Sequence, residues 1–121
     1  MAKNNCQLQL QWEENTLIAN ICGELDHHGA VAVRTLIDSE ICRQRPNRTV
    51  LELSSLDFMD SSGLGLIMGR YALMQKMGGE FCVRNPNPRI LKIFKLAGLE
   101  RMVKIENTHD RREKRNEAKR K

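Results

Sequence analysis

Asp60-Ser61-Ser62-Gly63 is the densest group of side chains able to do chemistry in this chain, and it falls between an apolar run and a helically spaced one. Asp and Ser are helix-capping types, whose side-chain oxygens accept from the backbone N–H groups that a first helical turn leaves without partners. The same position exposes a hydroxyl at the C-terminal edge of a sheet, where open α/β sheets hold their sites. A phosphate esterified there would meet free N–H groups and the positive end of the helix dipole, so the local fold tolerates it. Pattern alone separates neither capping from modification nor Ser61 from Ser62 as the acceptor.

Other chemistries lack their parts. Nucleophilic catalysis by Ser61 or Ser62 would need a strained G-x-S-x-G elbow and a partner base, and the motif is missing. The histidines are His27, His28 and His109. Asp26-His27-His28 invites a metal reading, but adjacent side chains diverge and no second carboxylate-rich motif completes a site. A turn and helix cap is the simpler reading, and it leaves Asp26 just past the end of a strand, on the same sheet edge as Ser61. No phosphate-cradling glycine loop is present. Gly63, Gly65 and Gly69 fall inside a helical pattern, where each costs about 1 kcal/mol relative to alanine; they imply a close approach, either by another part of this domain or by a partner. Cys6, Cys22, Cys42 and Cys82 show neither C-x-x-C nor zinc spacing and read as buried or idle thiols.

The elements that must position these groups follow from periodicity. Leu8, Leu10 and Trp12 alternate with glutamines, a half-buried strand, and Glu13-Glu14-Asn15 turns the chain into a second strand over Thr16–Cys22. Gly23-Glu24-Leu25-Asp26 is read as leaving the sheet. Ala30, Val33, Leu36, Ile37 and Ile41 then lie on one helical face, closed by Pro46-Asn47. Thr49–Leu53 is a buried strand that Leu56 and Phe58 prolong. Leu64, Ile67, Met68, Tyr71 and Met74 make a second helix that Gly78-Gly79 stops. Phe81–Val83 is a strand, Ile90, Leu91 and Phe94 a short helix after Pro86 and Pro88, and Met102, Val103 and Ile105 a last edge strand. Helices between consecutive strands imply crossovers, so the fold is a single α/β domain: a mostly parallel mixed sheet of about five strands, with an N-terminal antiparallel hairpin.

Leu, Ile, Val and Phe number 30 of the 121 residues, about 25%, enough for one small core and too little chain for a second catalytic domain. The formal charge of +5 is concentrated at one end, because residues 110–121 carry seven Lys/Arg against three Asp/Glu and leave the body nearly neutral. The chain therefore divides into a domain over 1–106 and a charged basic tail over 107–121. The tail's mixed signs and lack of aromatics suit a solvated extension, so no direct nucleic-acid partner is expected. No apolar stretch approaches the ~20 residues of a membrane span and no secretory signal opens the chain, so a cytoplasmic protein without membrane contact or cofactor is expected.

Leu56–Tyr71 (LDFMDSSGLGLIMGRY) and Gly23–His28 (GELDHH), with KMGGE around Gly78 and IFKLAGL over Ile93–Leu99, closely resemble the anti-sigma factor antagonists of the sporulation type, in the STAS domain family. The resemblance spans roughly residues 6–106 in consistent order. It implies helices packed on one face of the sheet and a protein that is not an enzyme. It implies that the unphosphorylated form binds an anti-sigma factor that is also an ATP-using serine kinase, so releasing the sigma factor. That kinase would inactivate the antagonist by phosphorylating Ser61, the first serine after the aspartate, and a separate serine phosphatase would reset it. Asp26 matches a position that contributes to kinase binding, and Asp60, Ser62, Gly63 and Leu64 match the rest of the docking edge. The alternative is a ligand-binding STAS module recognising a nucleotide or anion. The basic C-terminal segment departs from the mixed, partly apolar helix with which relatives continue.

Overall fold

The computed structural model describes residues 5–108; of the expected tail, Asn107 and Thr108 are among them and the remainder lies outside the described residues. The elements run β1 (Cys6–Glu13), β2 (Thr16–Leu25), α1 (His27–Gln44), β3 (Arg48–Glu52), β4 (Leu56–Met59), α2 (Ser61–Lys76), β5 (Glu80–Arg84), α3 (Pro88–Ala97) and β6 (Lys104–Glu106), with a 3₁₀ turn at Leu99–Arg101. The sheet has six strands in the order β1-β2-β3-β5-β6, and β4 pairs with β2. Among the described residues only β1 runs antiparallel; the β2–β3, β2–β4, β3–β5 and β5–β6 pairs are parallel. The hairpin turns on Glu14, whose φ is +55°.

Alternation decides which side of the sheet is the core. Leu17, Ala19 and Ile21 of β2, Leu51 of β3 and Phe81 and Val83 of β5 face one way and pack with Ala30, Val33, Ile37 and Ile41 of α1 and Leu66, Ile67 and Met74 of α2. The residues between them, Ile18, Val50 and Cys82, form a separate buried cluster on the opposite face. Phe94 of α3 is fully buried in the main core. Helix ends follow their residue types. Asn87 caps α3 ahead of Pro88, and Gly98 ends it at φ +73°; α1 ends at Arg45 in the left-handed region, φ +50°.

Several details differ from the sequence-based expectation, among them the last strand, which begins at Lys104 and leaves Met102 and Val103 in the connection before it. The second strand does not leave the sheet at Gly23. A register shift between Gly23 and Glu24, with Gly23 at φ +91°, lets it run on to Leu25. A Cβ at Gly23 would lie 2.0 Å from the Asn5 carbonyl oxygen, so only glycine fits this bulge. The buried run after Thr49 is not one strand: a turn closed by Leu56 N–H to the Leu53 carbonyl, 3.1 Å, separates β3 from β4 and raises the strand count to six. Phe58 is 46% exposed, because its face of this edge strand has no covering helix. Leu36 is 53% exposed: its neighbour Ile37 points at the core, and one residue is about 100° of helix.

Candidate functional site

β2 and β4 end side by side, with Leu25 opposite Met59 in the register. Each strand hands directly to a helix through an aspartate. Asp26 has extended dihedrals and is the N-cap of α1, its Oδ1 accepting from the Gly29 N–H at 2.9 Å. Asp60 does the same for α2, its Oδ1 accepting from the Ser62 N–H at 2.8 Å. The Asp60 N–H donates to the Leu25 carbonyl at 3.3 Å, which ties the two strand-to-helix turns together. Neighbouring strands are about 4.8 Å apart, so two helix N-termini and two carboxylates share one edge of the sheet.

Of the run Asp60-Ser61-Ser62, Asp60 is the residue that caps α2. Asp60 alone takes the extended N-cap conformation, and Ser61 becomes the first helical residue. Ser61 is exposed and Ser62 half-buried. The hydroxyl of Ser61 therefore carries no capping duty and stands at the mouth of the sheet.

The remaining candidates divide by the face they occupy. Gly63 is buried under the edge: a Cβ there would lie 2.2 Å from Met59 Cγ, so its absence lets α2 settle on β4. Leu64 is half-buried and packs against the main core. Gly65 and Gly69 are different, since a Cβ at either would meet nothing within 4 Å. Internal packing explains Gly63 and leaves Gly65 and Gly69 without a neighbour inside the domain.

Sequence reasoning missed the groove between the two helices. His27, Ala30, Val31 and Arg34 of α1 and Ser62, Gly65 and Leu66 of α2 line a depression of about 260 Å³ beside Ser61. Val31, 41% exposed, is an apolar residue of its lining, and Met68 of α2 is 45% exposed. Ser61, Gly65 and Met68 follow i, i+4, i+7 spacing along one outward row of α2. The available signal was an apolar residue at each of these helices' off-core positions. Behind the groove, Arg70 Nε of α2 lies 2.8 Å from Asp38 Oδ1 of α1, and Arg70 is nearly fully buried, so the two helices are pinned to each other.

His27 and His28 are both exposed, with ring centroids 6.1 Å apart. Among the described residues no group of three or more His, Cys, Asp or Glu side chains is placed to hold a metal ion. Cys6 lies beneath Gly29 at the start of α1, where burial and then the Asp26 carboxylate push its thiol up. Cys82 is also buried, Cys22 half-buried and Cys42 exposed, so burial accounts for two of the four thiols.

The STAS domain model matches residues 7–111. The chain belongs to the STAS domain family. An anti-sigma F factor antagonist of Paenibacillus polymyxa is 41% identical over 101 residues, covering 84% of this chain and 86% of that protein. The unphosphorylated form of the anti-sigma factor antagonist SpoIIAA superposes with a TM-score of 0.74 at 31% identity, covering 82% of this chain and 87% of that one. The phosphorylated form of SpoIIAA, described as a Bacillus cell fate determinant, superposes at 0.69 with 28% identity, covering 89% and 98%. The fold of this STAS chain is thus that of solved anti-sigma factor antagonists. Among its described residues no helix is long and apolar enough to cross a membrane.

Proposed function

We propose that this STAS chain is an anti-sigma factor antagonist, acting in the cytoplasm, whose unphosphorylated form binds an anti-sigma factor serine kinase and frees the sigma factor. The observation that carries the reading is Ser61: exposed, first in α2, and relieved of capping by Asp60. The kinase would transfer the γ-phosphoryl group of ATP to Ser61 Oγ, forming the O–P bond as the bond to ADP breaks and the hydroxyl proton is lost. A serine phosphatase would hydrolyse that ester. Asp26, Asp60 and Ser62 lie along the same edge, with Gly63 and Leu64 beneath it fixing how α2 sits on β4. The names of the relatives, and the existence of SpoIIAA in two phosphorylation states, support the assignment.

The physics of release is local. A phosphate adds about −1.5 to −2 charges at pH 7. At the N-terminus of α2 it would stabilise its own helix, so the backbone has no reason to move. Docking would have to desolvate that phosphate together with Asp26 and Asp60, and a penalty of ~3 kcal/mol would weaken binding about a hundredfold. A nucleotide- or anion-binding role has less support, since the sequence offers no phosphate-cradling glycine loop.

The test is incubation with the cognate anti-sigma kinase and ATP, with the phosphate mapped by mass spectrometry. Phosphate is expected on Ser61. Ser61→Ala should stay bound to the kinase unmodified, and Ser61→Asp should bind about 10–100-fold more weakly. Phosphate on another residue, or undiminished binding by Ser61→Asp, would refute the proposal.

A further inference from the structure

The opposite border of the sheet presents a surface that the Ser61 edge does not use. Among the described residues, strand β1 pairs only with β2, along its whole length from Cys6 to Glu13. Among the described residues no strand covers its outer border, and Gln7 and Gln9–Glu13 are exposed. Edge strands are normally guarded by charge, proline, a bulge or short length. Gln7–Trp12 has no charged residue and no proline, and the strand's eight residues span about 27 Å at ~3.4 Å each.

We propose that this edge pairs antiparallel with β1 of a second copy of the chain, Leu10 opposite Leu10 on a two-fold axis, giving a weak symmetric dimer. Residues directly opposite in an antiparallel pair share a face, so this register sets Leu8 against Trp12 and Gln9 against Gln11. Apolar side chains then meet on the helix side of the sheet and amides meet on the other. The surface is self-complementary, as a two-fold contact requires. Leu10 and Trp12 are 36% and 37% exposed on the helix side. Trp12 Nε1 donates to Glu40 of α1 at 3.3 Å, and Leu36, one turn earlier on the same helix, is 53% exposed. Leu10, Trp12 and Leu36 therefore form one apolar strip along the border, which a second copy would cover. Since β4 and Ser61 lie on the other side of β2 from β1, both copies keep that edge open.

An interface built on one strand and a strip of three side chains lies at the small end of specific contacts, so only weak association is expected. Sedimentation equilibrium from about 10 μM to about 1 mM reads association of that strength. The wild-type mass should rise toward the dimer, while Leu10→Lys and Leu10→Glu should each remain monomeric with an unchanged far-UV spectrum. Mixing the two variants should restore a dimer, because opposite charges then face each other. Should a Leu10 variant lose its native spectrum, Gln9→Lys mixed with Gln11→Glu makes the same test on the other face, the mixture associating more tightly than either alone. A monomer throughout the range, a dimer undiminished by Leu10→Lys, or mixtures of folded variants that fail to associate would overturn the proposal.

Discussion

Asp60 has two duties that a single substitution can separate. It caps α2 through the Ser62 N–H and lends its charge to the edge beside Ser61. Asparagine caps about as well as aspartate, whereas alanine loses about 1 kcal/mol, or roughly 4–8 °C of Tm in a domain of this size. Asp60→Asn should therefore hold its Tm while changing kinase affinity, and Asp60→Ala should lower both, as calorimetry beside a binding titration would read. If Asp60→Asn keeps both its Tm and its kinase affinity while Asp60→Ala loses both, the carboxylate matters only as a cap. The capping role was half-legible in the sequence. A run of Asp-Ser-Ser announces a helix start, but all three residues are of capping types, and the backbone conformation chose among them.

At the scale of the element, α2 carries glycines of opposite meaning. Gly63→Ala would drive a Cβ into Met59 within the buried contact with β4, a misfit expected to cost about 1–3 kcal/mol. Gly65→Ala has open space around it and should raise stability by up to ~1 kcal/mol through helix propensity. If the groove between α1 and α2 receives the kinase, Gly65→Ala should also weaken binding although the fold is firmer. Chemical denaturation with kinase titration reads both; tight binding by Gly65→Ala would remove the groove from the interface. Glycine in a helix was visible as an anomaly along the chain. Which glycine served the interior depended on β4, a separate strand that the reading of Leu56 and Phe58 as an extension of the preceding one had merged away.

For the whole molecule, acid stability depends on the last strand. Glu106, almost wholly buried, takes contacts from Arg48 of β3 at 3.0 Å, Arg84 of β5 at 3.4 Å and Lys104 of β6 at 3.4 Å. Burial pushes its carboxyl up, but Arg48, Lys104 and Arg84 together outweigh that and hold it below the usual carboxylate range. A carboxyl whose folded pKa is depressed stabilises the fold above its unfolded value of about 4.3, and loses that contribution as pH falls through the folded value. Urea midpoints measured from neutral to acid pH should thus fall below about pH 4.3 in the wild type. Glu106→Gln should be weaker at pH 7 by about 2 kcal/mol and flatter in the acid limb. An unchanged acid slope in that variant would show that another group governs it.

The sequence by itself determined the three helices, five of the six strands, the opening hairpin and the Asp-Ser-Ser run that starts α2, because each depends on residues close together in the chain. The bulge at Gly23, the side-by-side endings of β2 and β4, the groove through His27, Arg34 and Gly65 and the ring of cations around Glu106 depended on tertiary structure. They join residues tens of positions apart, and their energies come from register and burial, which a local pattern does not contain.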